Sequence, residues 1–203
     1  MQRTMNFRPL ILGLATGASL FLSSSTVHAQ AFPKGSTSLS VGYGVGTFLG
    51  AINRNFDVNS DVSYSSMGPV YFKFEHAMDD HVGLGLNVAY ATNEWNYRYE
   101  YDSTSYKGRT TRSTYSILAR FNYHIGSDAK FDPYVGFGLG YRDAKWTVED
   151  DGPEDSGVTL KSLMPFGMEL TFGFRYFFAP NFGLYAEVGA AKSVAQGGIS
   201  VKF

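Results

Sequence analysis

Seven ionisable residues sit at alternate positions among apolar ones: Lys73, Glu75, Arg120, Arg142, Glu169, Arg175 and Glu187. Four bases and three acids withdrawn from water would need ion pairs and hydrogen bonds to offset desolvation. They therefore read first as a structural polar network, with a gate or narrow ion path as the functional alternative. Arg120, Glu169 and Glu187 fall near the middle of their segments. Lys73, Glu75, Arg142 and Arg175 fall nearer the ends.

Other residues have types suited to catalysis or ligand binding. His124 and Ser127 are close in sequence, and a hydroxyl beside an imidazole and an acid can make a nucleophile. Both fall in a short connection, as do His76 and His81 at segment ends. No catalytic set is expected. The run Glu149-Asp150-Asp151-Gly152-Pro153-Glu154-Asp155 could offer oxygen ligands to a divalent cation. Its spacing does not fit an EF-hand loop, so a solvated acidic loop is expected, with no metal and no cofactor. Trp95-Asn96-Tyr97-Arg98-Tyr99-Glu100-Tyr101 alternates aromatic and polar residues; it reads as a hairpin projecting beyond the membrane and suits contact with an extracellular protein. Its parity is shifted against Val82–Tyr90, which predicts a bulge or break near Asn93-Glu94. Lys107, Arg109, Arg112, Lys145 and Lys161 form a basic set at segment ends and loops, able to meet phosphate groups.

The elements that carry these residues have a period of two. Val82, Leu84, Leu86, Val88 and Tyr90 alternate with Gly83, Gly85, Asn87 and Ala89. Tyr115, Ile117, Ala119, Phe121 and Tyr123 alternate with Ser116, Leu118, Arg120, Asn122 and His124. Phe166, Met168, Leu170, Phe172, Phe174 and Tyr176 alternate with Gly167, Glu169, Thr171, Gly173 and Arg175. Similar runs begin near Leu39, Val70, Val135, Leu184 and Ile199, making eight strands. The connections alternate in length. Those at 78–81, 126–132 and 179–181 are short; those at 49–65, 94–111 and 147–161 are long. The last, near 191–196, is short.

Composition narrows the class. The 203 residues include 17 Phe, 14 Tyr, 2 Trp and 23 Gly, with mean hydropathy −0.14. No internal stretch could span a bilayer as a helix, but a barrel strand is apolar on one face only. There is no cysteine, hence no disulfide. Residues 1–29 read as a signal peptide: Arg3 and Arg8, an apolar core from Pro9 to Leu22, then small residues ending Val27-His28-Ala29. Cleavage after Ala29 or after Ala31 fits equally, leaving residues 30–203 as one domain. Without residues 1–29, fifteen bases face eighteen acids, a net charge of −3 that gives no reason to expect nucleic acid as a partner.

Which face meets lipid follows from charge. The apolar faces carry no Lys, Arg, Asp or Glu, whereas the opposite faces carry all seven ionisable residues above together with Gly, Ala and Ser. A base at the bilayer midplane costs about 2–4 kcal/mol, so the inverted barrel would lose on the order of 10 kcal/mol, comparable to a domain's stability. Small residues also suit the cramped interior of eight strands. Tyr43, Tyr90, Tyr115, Tyr123, Tyr141 and Tyr176 lie toward strand ends, as interfacial girdles require. His76 is the one awkward outward residue.

Three segments carry a family resemblance: Asp132-Pro133-Tyr134-Val135-Gly136-Phe137-Gly138-Leu139-Gly140-Tyr141, Phe182-Gly183-Leu184-Tyr185-Ala186-Glu187-Val188-Gly189, and the ending Gly197-Gly198-Ile199-Ser200-Val201-Lys202-Phe203. They resemble the small outer-membrane β-barrels of the OmpX and OmpA-transmembrane-domain type, over the whole mature chain. The resemblance implies an all-β fold: an eight-stranded antiparallel up-and-down transmembrane barrel with short periplasmic turns and longer extracellular loops. It implies the cell outer membrane of a Gram-negative bacterium. It also implies contact with outer-membrane lipid and lipopolysaccharide, and an assembly signal at Ile199, Val201 and Phe203 read by the barrel-assembly machinery. The expected role is structural, surface-interacting or adhesive and non-catalytic. The alternatives are a narrow channel for small or hydrophobic solutes and a lipid-modifying enzyme.

Overall fold

The computed structural model describes residues 30–47, 62–101, 104–126, 128–151, 158–162 and 165–203. The described residues form nine strands and no helix: β1 (Thr37–Thr47), β2 (Val62–Asp79), β3 (Val82–Tyr101), β4 (Thr104–His124), β5 (Phe131–Asp150), β6 (Val158–Lys161), β7 (Phe166–Ala179), β8 (Phe182–Ala190) and β9 (Ser193–Lys202). Eight close into an antiparallel barrel. Each pairs with its neighbour in the chain, except that β5 passes over β6 to β7, and β1 meets β9 from Ser38↔Lys202 to Thr47↔Ser193. Closure leaves the membrane-spanning wall no free edge, so its backbone groups find partners in neighbouring strands. The four-residue β6 is an addition, joined to the outer part of β5 from Lys145↔Lys161 to Val148↔Val158.

The period-two alternation is realised as an inside-out solvent pattern. Along β7, positions from Phe166 to Phe178 alternate strictly between exposed and buried, with Phe172, Leu170 and Met168 outward and Glu169, Thr171 and Arg175 inward. The outward set Phe72, Leu86, Ile117, Phe137 and Phe172 forms a continuous apolar band. Tyr90 pairs with Tyr115 at one rim of that band, and Phe131 with Tyr176 at the other. His76 sits at the inner rim, exposed, with its Nδ1 3.0 Å from Thr37 Oγ1.

The long connections are shorter than expected because the strands run on. Residues 94–111 form the projecting hairpin read at Trp95–Tyr101 rather than an irregular loop: β3 and β4 stay paired without interruption from Val82↔Tyr123 to Tyr101↔Thr104. β4 continues eleven residues beyond Tyr115, about 35 Å of strand. The region 147–161 likewise holds the end of β5 and all of β6, and the last connection narrows to Ala191-Lys192. Of 49–65, residues 49–61 lie outside the described residues. One wall, β2 to β6, therefore stands well above the other, where β8 has only nine residues.

The expected bulge at Asn93-Glu94 is not there. Asn93 pairs with Arg112 and Glu94 with Thr111 in regular register. The irregularity lies across the sheet in β2, between Met67 and Val70, where Gly68 and Pro69 are buried. Pro69 lacks the N–H a regular ladder would use, which favours a bulge there. Trp95 and Tyr97 simply occupy the inward parity of Ala91 and Asn93. The sequence shifted its chemistry from one face to the other, and the backbone did not slip.

Candidate functional site

Small residues on the inward parity make room for long ones from neighbouring strands. A Cβ added at Gly138 would lie 2.6 Å from Glu169 Cγ, and one at Gly173 2.5 Å from Glu187 Cγ. The glycines on β5 and β7 thus receive the carboxylates of β7 and β8. Those carboxylates meet the bases of β2 and β4 across the barrel.

The result is a middle polar layer. Arg120 Nη1 donates to Glu169 Oε1 at 2.8 Å, its Nη2 to Glu187 Oε1 at 2.9 Å and to Thr171 Oγ1 at 2.9 Å, and its Nε to Asn122 Oδ1 at 2.8 Å. Lys73 Nζ is 2.7 Å from Glu187 Oε1. Tyr134 Oη and Gln196 Nε2 donate to the two oxygens of Glu187 at 2.7 and 2.9 Å. Asn87 Nδ2 donates to both oxygens of Glu169, at 2.9 and 2.8 Å. Two bases face two acids, and each acid carries several donors, the condition under which buried charges are tolerable.

A second layer lies nearer the short turns. His124 holds Nδ1 2.6 Å from Asp132 Oδ1 and Nε2 2.9 Å from Glu75 Oε1. Arg175 pairs with Glu75 through Nη2 and stands 3.6 Å from Asp132 Oδ2 through Nη1. Beneath it the chain before β1 folds into the opening. Phe32 is 3% exposed and stacks on His124 with ring centroids 3.5 Å apart. The Ala31 N–H donates to the Asp128 carbonyl at 2.7 Å, and Lys202 Nζ donates to the Ala31 carbonyl at 2.9 Å.

Six of the seven ionisable residues singled out in the sequence are thus brought together: Lys73, Arg120, Glu169 and Glu187 in the middle layer, Glu75 and Arg175 in the inner one. Lys73 belongs to the middle layer rather than to a strand end. Arg142 stands apart, on the outer side of Leu118, with Nη2 3.3 Å from the Met168 carbonyl. Sequence reasoning missed Asp132, Tyr134 and Phe32. Asp132 and Tyr134 share the parity of Gly136 and Gly138, a signal that could have placed them inward. Nothing local marks Phe32.

The remaining candidates separate. His124 is in the inner layer, and Ser127 lies outside the described residues. His81 holds Nδ1 3.0 Å from the His124 carbonyl. Among the described residues no cluster of His, Asp and Glu has the arrangement of a metal site. In the acidic run, Glu149 and Asp150 end β5, Asp151 Oδ1 accepts from the Lys107 N–H, and 152–155 lie outside the described residues. Of the basic set, Lys107 and Lys145 are exposed and Arg109 Nε lies 3.4 Å from Glu94 Oε1. Arg112 turns inward, 5.2 Å from the Trp146 ring, rather than toward the lipid surface. Lys161 pairs through its backbone with Lys145. Ile199 faces outward, half-exposed, and Val201 and Phe203 are half-buried; the Phe203 N–H donates to the Thr37 carbonyl at 2.9 Å, sealing the β1–β9 seam.

No curated protein matches the sequence. Among solved structures, the chain is similar to the N-terminal β-barrel domain of Pseudomonas aeruginosa OprF, with 17% identity and a TM-score of 0.38 over 84% of this chain and 98% of that one. It is similar to Ail, the attachment invasion locus protein of Yersinia pestis, in complex with sucrose octasulfate (16%, TM-score 0.42, 84% and 99%). It is also similar to the outer membrane protein OprG of Pseudomonas aeruginosa (13%, TM-score 0.43, 86% and 98%). The sequence itself matches the outer membrane protein beta-barrel domain over residues 17–199. With a closed eight-stranded barrel, a lipid-facing apolar band and a family match across most of its length, this chain belongs to the outer membrane protein beta-barrel family, whose place is the cell outer membrane.

Proposed function

We propose that the protein is a closed, non-catalytic barrel that anchors a surface-interacting β-extension in the outer membrane. The observation that carries this reading is the filled lumen. Two ion-paired layers span the interior, with Arg120, Glu169 and Glu187 each no more than 5% exposed, and Phe32 stops the inner opening. Eight strands leave room for side chains and little else. What remains for work is the tall wall of β2 to β6. It presents Tyr106, Lys107 and Arg109 on one hairpin, and a projecting, aromatic-rich sheet suits an extracellular protein partner. Planar-bilayer recording of the refolded protein tests the closed lumen. No single-channel steps are expected; reproducible steps would replace this reading with the narrow channel.

Biogenesis follows the same reading. Phe203, with Val201 and Ile199, serves as the assembly signal for the barrel-assembly machinery, and deleting Phe203 should leave unassembled protein in the periplasm. Of the two cleavage sites, the one after Ala29 is the one that keeps Ala31, whose N–H and carbonyl are both bonded in the barrel. Intact mass of the mature protein checks this; a chain starting at Phe32 would refute it.

A further inference from the structure

The charges inside the barrel divide by height. In the two inner layers, acids and bases alternate. Outward of Leu118, the charged side chains on the inward parity up to Trp146 are Arg112 on β4 and Arg142 on β5, joined by Lys192 from the turn between β8 and β9. That turn lies four residues outward of Tyr43 along β1, since Tyr43 pairs with Gly197 and Thr47 with Ser193. Lys192 Nζ reaches into the mouth, 3.3 Å from the Ala89 carbonyl and 3.2 Å from Thr114 Oγ1. Arg142 Nη2 meets the Met168 carbonyl, while its Nε is buried with no hydrogen-bond acceptor among the described residues. The Arg112 guanidinium lies over Trp146, which stacks on Trp95 at 5.7 Å.

Lys192 senses both guanidiniums. Burial pushes the Lys192 ammonium down to about 7, and the Arg142 and Arg112 guanidiniums push it the same way; no carboxylate of the described residues offsets them at Lys192. All three residues are half-buried. Converging like charges in a low-dielectric recess raise local anion concentration and favour an oxyanion that neutralises them. A planar guanidinium fork beside an ammonium matches the several oxygens of a phosphate group.

We propose that Arg142, Lys192 and Arg112 form an anion site in the outer mouth of the barrel, taking a phosphate-type oxyanion from the external side. The ion-paired layer below makes the site a blind recess, so the anion is held and not passed. The site does not depend on whether the β-extension has a partner.

The chain has two tryptophans: Trp146 lies under the Arg112 guanidinium and Trp95 stacks on Trp146, so intrinsic fluorescence reports on the site. The refolded mature protein in phosphatidylcholine vesicles is titrated with inorganic phosphate at constant ionic strength, with chloride as the control. A parallel arm uses vesicles containing lipopolysaccharide and no free phosphate. A saturable change with phosphate is expected, with Lys192→Met and Arg142→Met each weakening it on the order of tenfold. Lys192→Arg, which keeps the charge, should bind within a few-fold of the unaltered chain, and a heat-modifiable gel shift verifies that each variant is folded. A response only in the lipopolysaccharide arm, lost in Lys192→Met, would keep the site and assign its phosphate to a lipid headgroup. No saturable response in either arm, or one indifferent to both substitutions in folded protein, overturns the proposal.

Discussion

Replacing Arg120 with Met removes one positive charge from the middle layer and nearly none of the packing volume. Arg120 makes ion pairs of 2.8 and 2.9 Å with Glu169 and Glu187, plus hydrogen bonds to Thr171 and Asn122. After the change Glu187 keeps Lys73, Tyr134 and Gln196, and Glu169 keeps Asn87, but the buried layer carries a net negative charge. Breaking a buried pair by removing one partner costs about 3–5 kcal/mol. That is a large share of the roughly 5–15 kcal/mol that holds a typical domain folded. Adding Glu169→Gln restores neutrality while keeping a side chain of the same shape. The double variant should therefore be more stable than Arg120→Met alone, with a coupling of about 1–3 kcal/mol. Urea titration from lipid vesicles, read by circular dichroism and by gel mobility without boiling, measures both. If Arg120→Met costs less than about 1 kcal/mol, or the two losses simply add, the layer is not the tightly coupled plug described above.

Two further outcomes rest on packing and orientation. The chain has no cysteine, so single cysteines placed at Phe172 and at Gly173 can carry a fluorescent probe; quenchers dissolved in the bilayer should reach the first and not the second, and the reverse would turn the barrel inside out. Gly138→Val puts new atoms against Glu169, 2.6 Å from its Cγ, and overpacking of this kind costs about 1–3 kcal/mol before the displaced ion pairs are counted. Gly197→Ala, whose Cβ would meet nothing closer than the Tyr185 carbonyl at 3.1 Å, should cost clearly less in the same urea titration.

Much of this molecule is legible from alternation. The run from Val82 to Tyr90 states which side chains share a face, and the absence of charge from that face states which one meets lipid. Both inferences need only the period of a strand and the cost of a charge in hydrocarbon. The strand number and antiparallel order follow from counting such runs. Alternation misled where chemistry changed faces: Trp95 and Tyr97 looked like a slipped register, yet the β3–β4 pairing runs through them unbroken. Strand ends misled too, since a polar, aromatic extension above the membrane loses the apolar stripe that marks a strand within it.

Position along a strand already set Arg120 near the middle and Arg142 nearer an end; tertiary structure alone decided which side chains of different strands meet at one height. Arg120 and Arg142 share residue type and inward parity, but one is locked between Glu169 and Glu187 and the other reaches the Met168 carbonyl, outward of Leu118. Parity is a property of one strand. Height is set by the stagger between strands around the closed barrel, which places Lys73 of β2 against Glu187 of β8 though they are far apart in the chain. The same is true of Phe32, which precedes the first strand and carries no periodic mark, yet closes the inner opening because barrel closure brings His124 and Lys202 to it.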